Sequence, residues 1–213
     1  MKTLLLATNN PAKIKELKFG LQNLIKNGLK VISLKDLKIE NEVEETGKTF
    51  KENAFIKAKY YGDLTGLPTI GDDGGLTIPF LNNEPGVRSR RWLGYDASDE
   101  ELINHTLTNL RGSQSTDRMA YLWVCLCFYN PISKKTFYSQ EKIKGHIANK
   151  PSNKRLKGYP FRSLFIVDKF QKYYDELTNE EHEQINHRLI AVTRLKIKMQ
   201  KLKLHSKIIN VHS

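Results

Sequence analysis

Apolar and polar positions along the chain change period several times, and each change predicts an element. Leu4, Leu5 and Leu6 form a continuous apolar run within Lys2 to Ala7, the pattern of a short buried strand. Asn10 and Pro11 follow as N-cap and first helical residue, and Ile14, Leu17, Leu21, Leu24 and Ile25 then recur at helical spacing, predicting one helix through about Lys26. Lys30 to Leu34 reads as a strand. Thr49 and Glu52 have the spacing of a capping box, which opens a helix with Ala54, Ala58 and Tyr61 on its inner face, ended by Gly66-Leu67-Pro68. Pro68 to Leu81 predicts a strand and a hairpin turning at Gly71-Asp72-Asp73-Gly74-Gly75, and Ser98 with Glu101 caps a helix to about Leu110. Met119 to Tyr129 is aromatic and aliphatic throughout and predicts a central strand, with Lys135 to Lys144 beside it. Leu164 to Val167 is a further strand, and Thr178 caps a last helix that runs on past His187. Elements that alternate early and cluster late predict a mixed α/β sheet with helices against it.

No repeat or low-complexity linker divides the 213 residues, so a single domain is expected over 1–195, followed by a basic tail over 196–213. Charge changes the picture of partners more than of fold. Residues 1–100 carry 15 Lys+Arg and 14 Asp+Glu, a net +1, whereas residues 101–213 carry 20 and 9, a net +11. Clustered cations raise the local concentration of anions, which points to polyphosphates, or to nucleic acid through the basic C-terminal half. No apolar stretch approaches the ~20 residues of a membrane helix, and the apolar start is shorter than the ~7–15 residues of a signal-peptide core, so a cytoplasmic protein is expected. Cys125 and Cys127, one residue apart in an apolar run, read as core thiols.

Three places have the composition of a site. The strand, turn and helix start at Thr8-Asn9-Asn10-Pro11-Ala12-Lys13 would set backbone N–H groups, a helix dipole and a lysine toward a phosphate, although no Gly-x-x-x-x-Gly-Lys motif is present. Carboxylates gather at Glu40, Glu42, Glu44 and Glu45 and again at Asp72-Asp73, and hard oxygen ligands from two loops suit Mg²⁺ bound with phosphate. Thr49, Asn53 and Lys57 share one helix face, which would carry a cation toward the same region. Two other readings fail. His182 and His187 are one residue too far apart for a zinc-protease helix, and no Gly-x-Ser-x-Gly elbow exists.

Taken in order, Thr8-x-Asn10-x-x-Lys13, Glu44-Glu45-Thr46-Gly47-Lys48-Thr49-Phe50-Lys51-Glu52-Asn53-Ala54, Gly71-Asp72-Asp73-Gly74-Gly75-Leu76, Glu84-Pro85-Gly86-Val87-Arg88-Ser89 and His187-Arg188 resemble the inosine triphosphate pyrophosphatase family over about residues 3–195. The resemblance implies an elongated mixed β-sheet flanked by helices, in two lobes with a central nucleotide cleft. It implies Mg²⁺-dependent hydrolysis of ITP, dITP and XTP to the monophosphate and pyrophosphate by a homodimer that cleans the nucleotide pool. By the same resemblance, Thr8, Asn9, Asn10, Pro11, Ala12 and Lys13 would hold the triphosphate. Glu45 and Asp73 would hold the metal, with Asp73 also orienting or deprotonating the attacking water, and Lys57 would neutralise charge on the phosphates. Asn53, Gly74, Tyr159, Phe161, His187 and Arg188 would complete substrate binding, the last two at the base.

The chain departs from the family in its base-recognition segment. Gly158-Tyr159-Pro160-Phe161-Arg162-Ser163-Leu164-Phe165 keeps the glycine, two aromatic residues and the final Phe, but Arg162 stands where the family has Asp, replacing an acceptor by a donor. Gly74 replaces a serine and His182 a lysine. Two alternatives therefore stand beside the family function: the same hydrolysis with an altered base preference, and a non-catalytic relative that binds nucleotide or nucleic acid.

Overall fold

A computed structural model describes residues 3–209 of the chain, with side chains through Met199. In chain order the elements are β1 (Thr3–Ala7), α1 (Pro11–Gly20), α2 (Gln22–Lys26), β2 (Lys30–Ser33), α3 (Phe50–Thr65), β3 (Thr69–Asp73), β4 (Leu76–Ile78), β5 (Glu84–Pro85), α4 (Asp99–Asn109), β6 (Met119–Tyr129), β7 (Thr136–Ile147), β8 (Phe165–Val167), β9 (Lys172–Tyr173), α5 (Asn179–Ile185) and α6 (His187–Ile209). Strand order is β2-β1-β3-β6-β7-β8-β9, with β4 pairing to β6 and β5 to β4. β2, β1 and β3 run parallel, and the pairs from β3 to β6, β4 to β6, β7 to β8 and β8 to β9 are antiparallel, so the sheet is mixed and helices flank it.

The chain divides into two compact units: Met1–Asp73, Cys125–Glu141 and Arg188–Ser213 in the first, Gly74–Val124 and Lys142–His187 in the second. In the first, α3 packs on β3 and β1. Its start is fixed by the expected box, Thr49 Oγ1 accepting from Glu52 N–H and Glu52 accepting from Thr49 N–H, and its end by Gly66 in the left-handed region at φ 68°. Ala54, Ala58 and Tyr61 are buried as the periodicity requires, Tyr61 joining Leu5, Ala7 and Leu34 in a core cluster. The thiols of Cys125 and Cys127 are buried, and burial pushes both up to about 12. The second unit packs Leu76, Ile78, Leu102, Leu122, Ile147 and Phe165 into its own core. Arg118 closes one end of it, donating to the carbonyls of Leu110, Ile147 and Ala148.

Several expectations are corrected. The first helix is two, broken at Leu21 (φ −96°, ψ 1°), directly after Gly20, where a Cβ would lie 2.8 Å from Val192 Cγ1 on α6; close packing has placed a poor helix former there. No hairpin forms at Gly71–Gly75. β3 and β4 each pair with β6, Asp73 opposite Cys125 and Leu76 opposite Leu122, and a Cβ on Gly74 would come within 2.3 Å of the Trp123 carbonyl oxygen. The glycine therefore permits close approach to β6 and does not make a tight turn. Asp72 and Asp73 belong to a strand, not to a turn. The last helix is interrupted at Asn186 (φ −58°, ψ 98°), so His182 and His187 lie on different helices and the helical-wheel argument against zinc loses its premise.

The backbone of the basic tail is helical through Ile209, and its neighbouring positions are anchored: Leu195 and Met199 are buried, Arg194 pairs with Glu141, and Lys198 Nζ donates to the Tyr138 carbonyl at 2.6 Å. Lys2 of the first predicted strand and tail residues 210–213 lie outside the described residues. Among the described residues no helix is long and apolar enough to cross a membrane.

Candidate active site

β1, β3, α1 and α3 of the first unit bring most of the predicted residues together. At the end of β1, Asn10 is the N-cap of α1, its Oδ1 accepting from Ala12 N–H at 3.0 Å and Lys13 N–H at 3.3 Å, while its own N–H donates to Thr8 Oγ1 at 3.2 Å. Pro11 has no N–H, and the Ile14 N–H donates to the Asn10 carbonyl. The expected free N–H groups of Ala12 and Lys13 are therefore already engaged: a strong cap and an open phosphate nest compete for the same donors. The helix dipole, the exposed Asn9 and Pro11, and the Lys13 ammonium are what the turn presents.

That ammonium meets β3. Lys13 Nζ lies 3.1 Å from Asp72 Oδ1. Arg188, in the first turn of α6, donates to the same carboxylate through Nε (2.7 Å, to Oδ2) and Nη2 (3.3 Å, to Oδ1), and through Nη1 to Glu16 Oε2 at 2.7 Å. Asp72 and Arg188 have side chains only 1% and 3% exposed. Burial by itself would raise the carboxyl of Asp72, but the Arg188 guanidinium and the Lys13 ammonium outweigh it and hold the group well below the usual carboxylate range. The family resemblance implies a base contact for Arg188. The structure sets its guanidinium fork on two carboxylates.

A second cluster forms around Lys57, on the inner side of α3. Its Nζ is 2.8 Å from Glu45 Oε1, 3.7 Å from Asp73 Oδ1, and donates to the Asp72 carbonyl at 3.3 Å. Desolvation would lower its pKa, yet the neighbouring Asp73 and Glu45 carboxylates leave it raised, so the lysine is held as a cation. Glu45 reaches this point because its loop is tied down: Gly47 N–H donates to Asn53 Oδ1 at 2.8 Å, and a Cβ on Gly47 would lie 2.5 Å from that same oxygen. Asn53 is buried beneath the loop, so the structure places it as the loop's support. Two hard carboxylates thus converge on one point from the 40s loop and from β3, marked by an ammonium between them.

Gly74, Tyr159, Phe161 and His187 belong to the second unit. Phe161 is packed in that unit's core, with Trp92 edge-on to its ring, and His187 is buried with its ring 6.3 Å from that of Tyr174. Arg162 is also buried, its guanidinium carbon 3.5 Å from the centroid of Tyr159 and 4.7 Å from that of Tyr174. Asp175 is pushed up to about 6 by its burial, against the opposing pull of Arg162. The charge reversal at residue 162 is therefore accommodated by two tyrosine faces and an acid.

The sequence reading passed over Glu16 and gave Asp72 no role of its own. Glu16 sits one turn beyond Lys13 on α1, a spacing that was visible, but its partner is 172 residues away.

A model of the Ham1 family matches residues 4–198 of the chain. A dITP/XTP pyrophosphatase of Bacillus subtilis is 35% identical over 195 residues, covering 92% of this chain and 96% of that protein. One of Leptospira interrogans is 34% identical over 194 residues, covering 91% and 95%. Among solved structures, a HAM1 protein from Coxiella burnetii superposes with a TM-score of 0.82 at 33% identity, over 94% of this chain and all of the other. The Staphylococcus aureus Ham1 protein gives 0.80 at 31%, over 94% and 99%.

Proposed function

The chain belongs to the Ham1 family, and from that premise we propose that it is a pyrophosphatase hydrolysing non-standard purine nucleoside triphosphates, dITP, ITP and XTP, to the monophosphate and pyrophosphate. The observation that carries the reading is the convergence of Glu45 and Asp73 on Lys57, at 2.8 and 3.7 Å, with Lys13 beside Asp72 on the same strand end. Such a cluster can grip a polyphosphate but offers neither a nucleophilic triad nor a reactive thiol.

The donor chemistry fits Mg²⁺, which takes oxygen ligands and is commonly held by one or two carboxylates together with substrate phosphates. Glu45 and Asp73 would hold it, and when bound it supplies charge neutralisation at the phosphate oxygens. The protein's own groups do the rest. Lys13 and the α1 dipole hold the triphosphate. Asp73 orients a water toward the α-phosphorus and takes its proton as the P–O bond to the β-phosphate breaks. Lys57 balances the charge that accumulates on the departing pyrophosphate.

Tyr159, Phe161 and His187 are proposed for the base. The held Arg162 favours a second reading of specificity, the same hydrolysis with a shifted base preference, because a donor pinned between Tyr159 and Tyr174 replaces an acceptor. A second copy of the chain is the proposed partner and the cytoplasm the proposed compartment.

Pyrophosphate release from ITP, dITP, XTP, ATP, GTP and dUTP, with Mg²⁺ present or chelated, tests the activity, the metal and the base preference. Metal-dependent release favouring ITP and XTP is expected; a different favoured base would assign specificity to 158–165, and release from none would refute the enzyme reading.

A further inference from the structure

Between Glu40 and Thr49 the chain forms neither helix nor strand, and among the described residues no main-chain to main-chain hydrogen bond holds residues 40–48. What holds them is α3. Tyr61 Oη donates to the Asn41 carbonyl at 2.8 Å and accepts from Val43 N–H at 3.3 Å. Lys57 Nζ meets Glu45 Oε1 at 2.8 Å, and Asn53 Oδ1 accepts from Gly47 N–H at 2.8 Å. Contacts thus fall at every second residue of the loop, Val43, Glu45 and Gly47, and at every fourth residue of the helix in reverse order, Tyr61, Lys57 and Asn53. The spacings match, because two residues of extended chain advance about 6.6 Å and four helical residues about 6.0 Å. Val43 and Gly47 are also the only residues from 40 to 49 that are not exposed. The segment is therefore laid along α3 in one register, with Glu45 as its middle rung.

We propose that Tyr61 is a positioning residue of the metal site: its hydroxyl holds the 43–47 segment in register on α3, so that Glu45 is presented at Lys57 before a metal binds. The ring is a fixed post for this purpose, 4% exposed and packed with Leu5, Ala7 and Leu34, with Val43 against the same cluster. Without the hydroxyl, the stretch from Ile39, whose N–H donates to the Leu34 carbonyl, to Gly47 loses its main-chain attachment, and a metal drawing on Glu45 must first order that stretch. The proposal rests on the pyrophosphatase reading only in taking Glu45 as a metal ligand.

The test reads the metal and the loop directly. Mn²⁺, standing in for Mg²⁺, is titrated by calorimetry into the full-length protein and into Tyr61→Phe, Glu45→Gln and the double variant, and amide hydrogen exchange is followed in the metal-free proteins. Tyr61→Phe keeps the ring and removes only the hydroxyl oxygen. In the parent, the Val43 and Gly47 amides should exchange about tenfold or more slowly than those of Glu42 and Glu44. Tyr61→Phe should bring Val43 to the rate of its neighbours, leave the amides of α3 protected, and weaken Mn²⁺ binding about three- to tenfold. On the Glu45→Gln background the same change should cost less than about twofold, because it acts through Glu45. A Val43 amide as fast as its neighbours in the parent, an unchanged Mn²⁺ affinity in Tyr61→Phe, an equal loss on both backgrounds, or a parent that binds no Mn²⁺ would each overturn the proposal. Should Tyr61→Phe fail to fold, Val43→Pro removes the N–H that the hydroxyl accepts from; a matching loss of Mn²⁺ affinity supports the proposal and an unchanged affinity refutes it. Pyrophosphate release from ITP separates this reading from the enzyme reading. A parent that shows the expected Mn²⁺ pattern but hydrolyses no triphosphate sinks the enzyme reading and leaves this one standing, and hydrolysis with an unaltered Mn²⁺ affinity in Tyr61→Phe does the reverse.

Discussion

Asp72 and Asp73 share a peptide bond, a strand and burial, yet alternation along β3 turns them to different company. Asp72 meets Arg188 and Lys13 at 2.7 and 3.1 Å, in contacts that match its charge closely. Asp73 meets Lys57 at 3.7 Å, a lysine that leans closer to Glu45 at 2.8 Å. One carboxylate is gripped by a guanidinium fork and an ammonium, and the other stands in an acid-rich cluster with Glu45 and Lys57. A buried charge held that tightly serves the scaffold, because removing either partner leaves the other unmatched.

The comparison breaks most sharply at Asp73. Asp73→Asn is expected to lower kcat by about 10³-fold or more while thermal unfolding stays near that of the parent, since volume and strand pairing are kept. Loss of stability in step with activity would make Asp73 a scaffold residue like its neighbour. Asp72→Ala should do the reverse in equilibrium urea unfolding, costing about 3–5 kcal/mol because Arg188 is left buried without its main counter-charge. A change below about 1 kcal/mol would show that the network contributes little. Lys57→Met should reduce kcat about 10²-fold with a smaller effect on stability, and a change in KM alone would move Lys57 from the reaction to ground-state binding.

Asp175 sharpens the comparison with a third acid, one that lies near an arginine and is nonetheless raised, to about 6. Its folded pKa exceeds the unfolded value of 3.8, so the folded state holds the extra proton between the two, and this group's contribution to stability falls as pH rises from about 4 to about 6. Asp175→Asn should flatten that part of the profile of melting temperature against pH, by at most about 1 kcal/mol after solvent screening. An unchanged slope between pH 4 and 6 would show that Arg162 already holds Asp175 ionised.

Much of this was legible along the chain because it is local. The capping boxes at Thr49, Ser98 and Thr178 appear where their spacing placed them, and β6 has the predicted ends. The carboxylates, Lys57 and the Asn10 turn could be singled out by residue type. What could not be read was which partner each would take. Asn10 is a cap and so engages the N–H groups of Ala12 and Lys13 itself. Asn53 holds Gly47, and Arg188 finds Asp72 from 116 residues away.

Sequence alone determined the alternation of strands and helices, the chemistry available at the ends of β1 and β3, and the family, because periodicity, capping and motif order depend on near neighbours. Tertiary structure decided that β3 and β4 both run against β6, that the last helix breaks at Asn186, and that one of two adjacent aspartates is bound into a buried ion network while the other faces Lys57 and Glu45. Those outcomes depend on strand pairing and on which charges share a low-dielectric interior, where burial penalises an unmatched ion and long-range packing supplies the match.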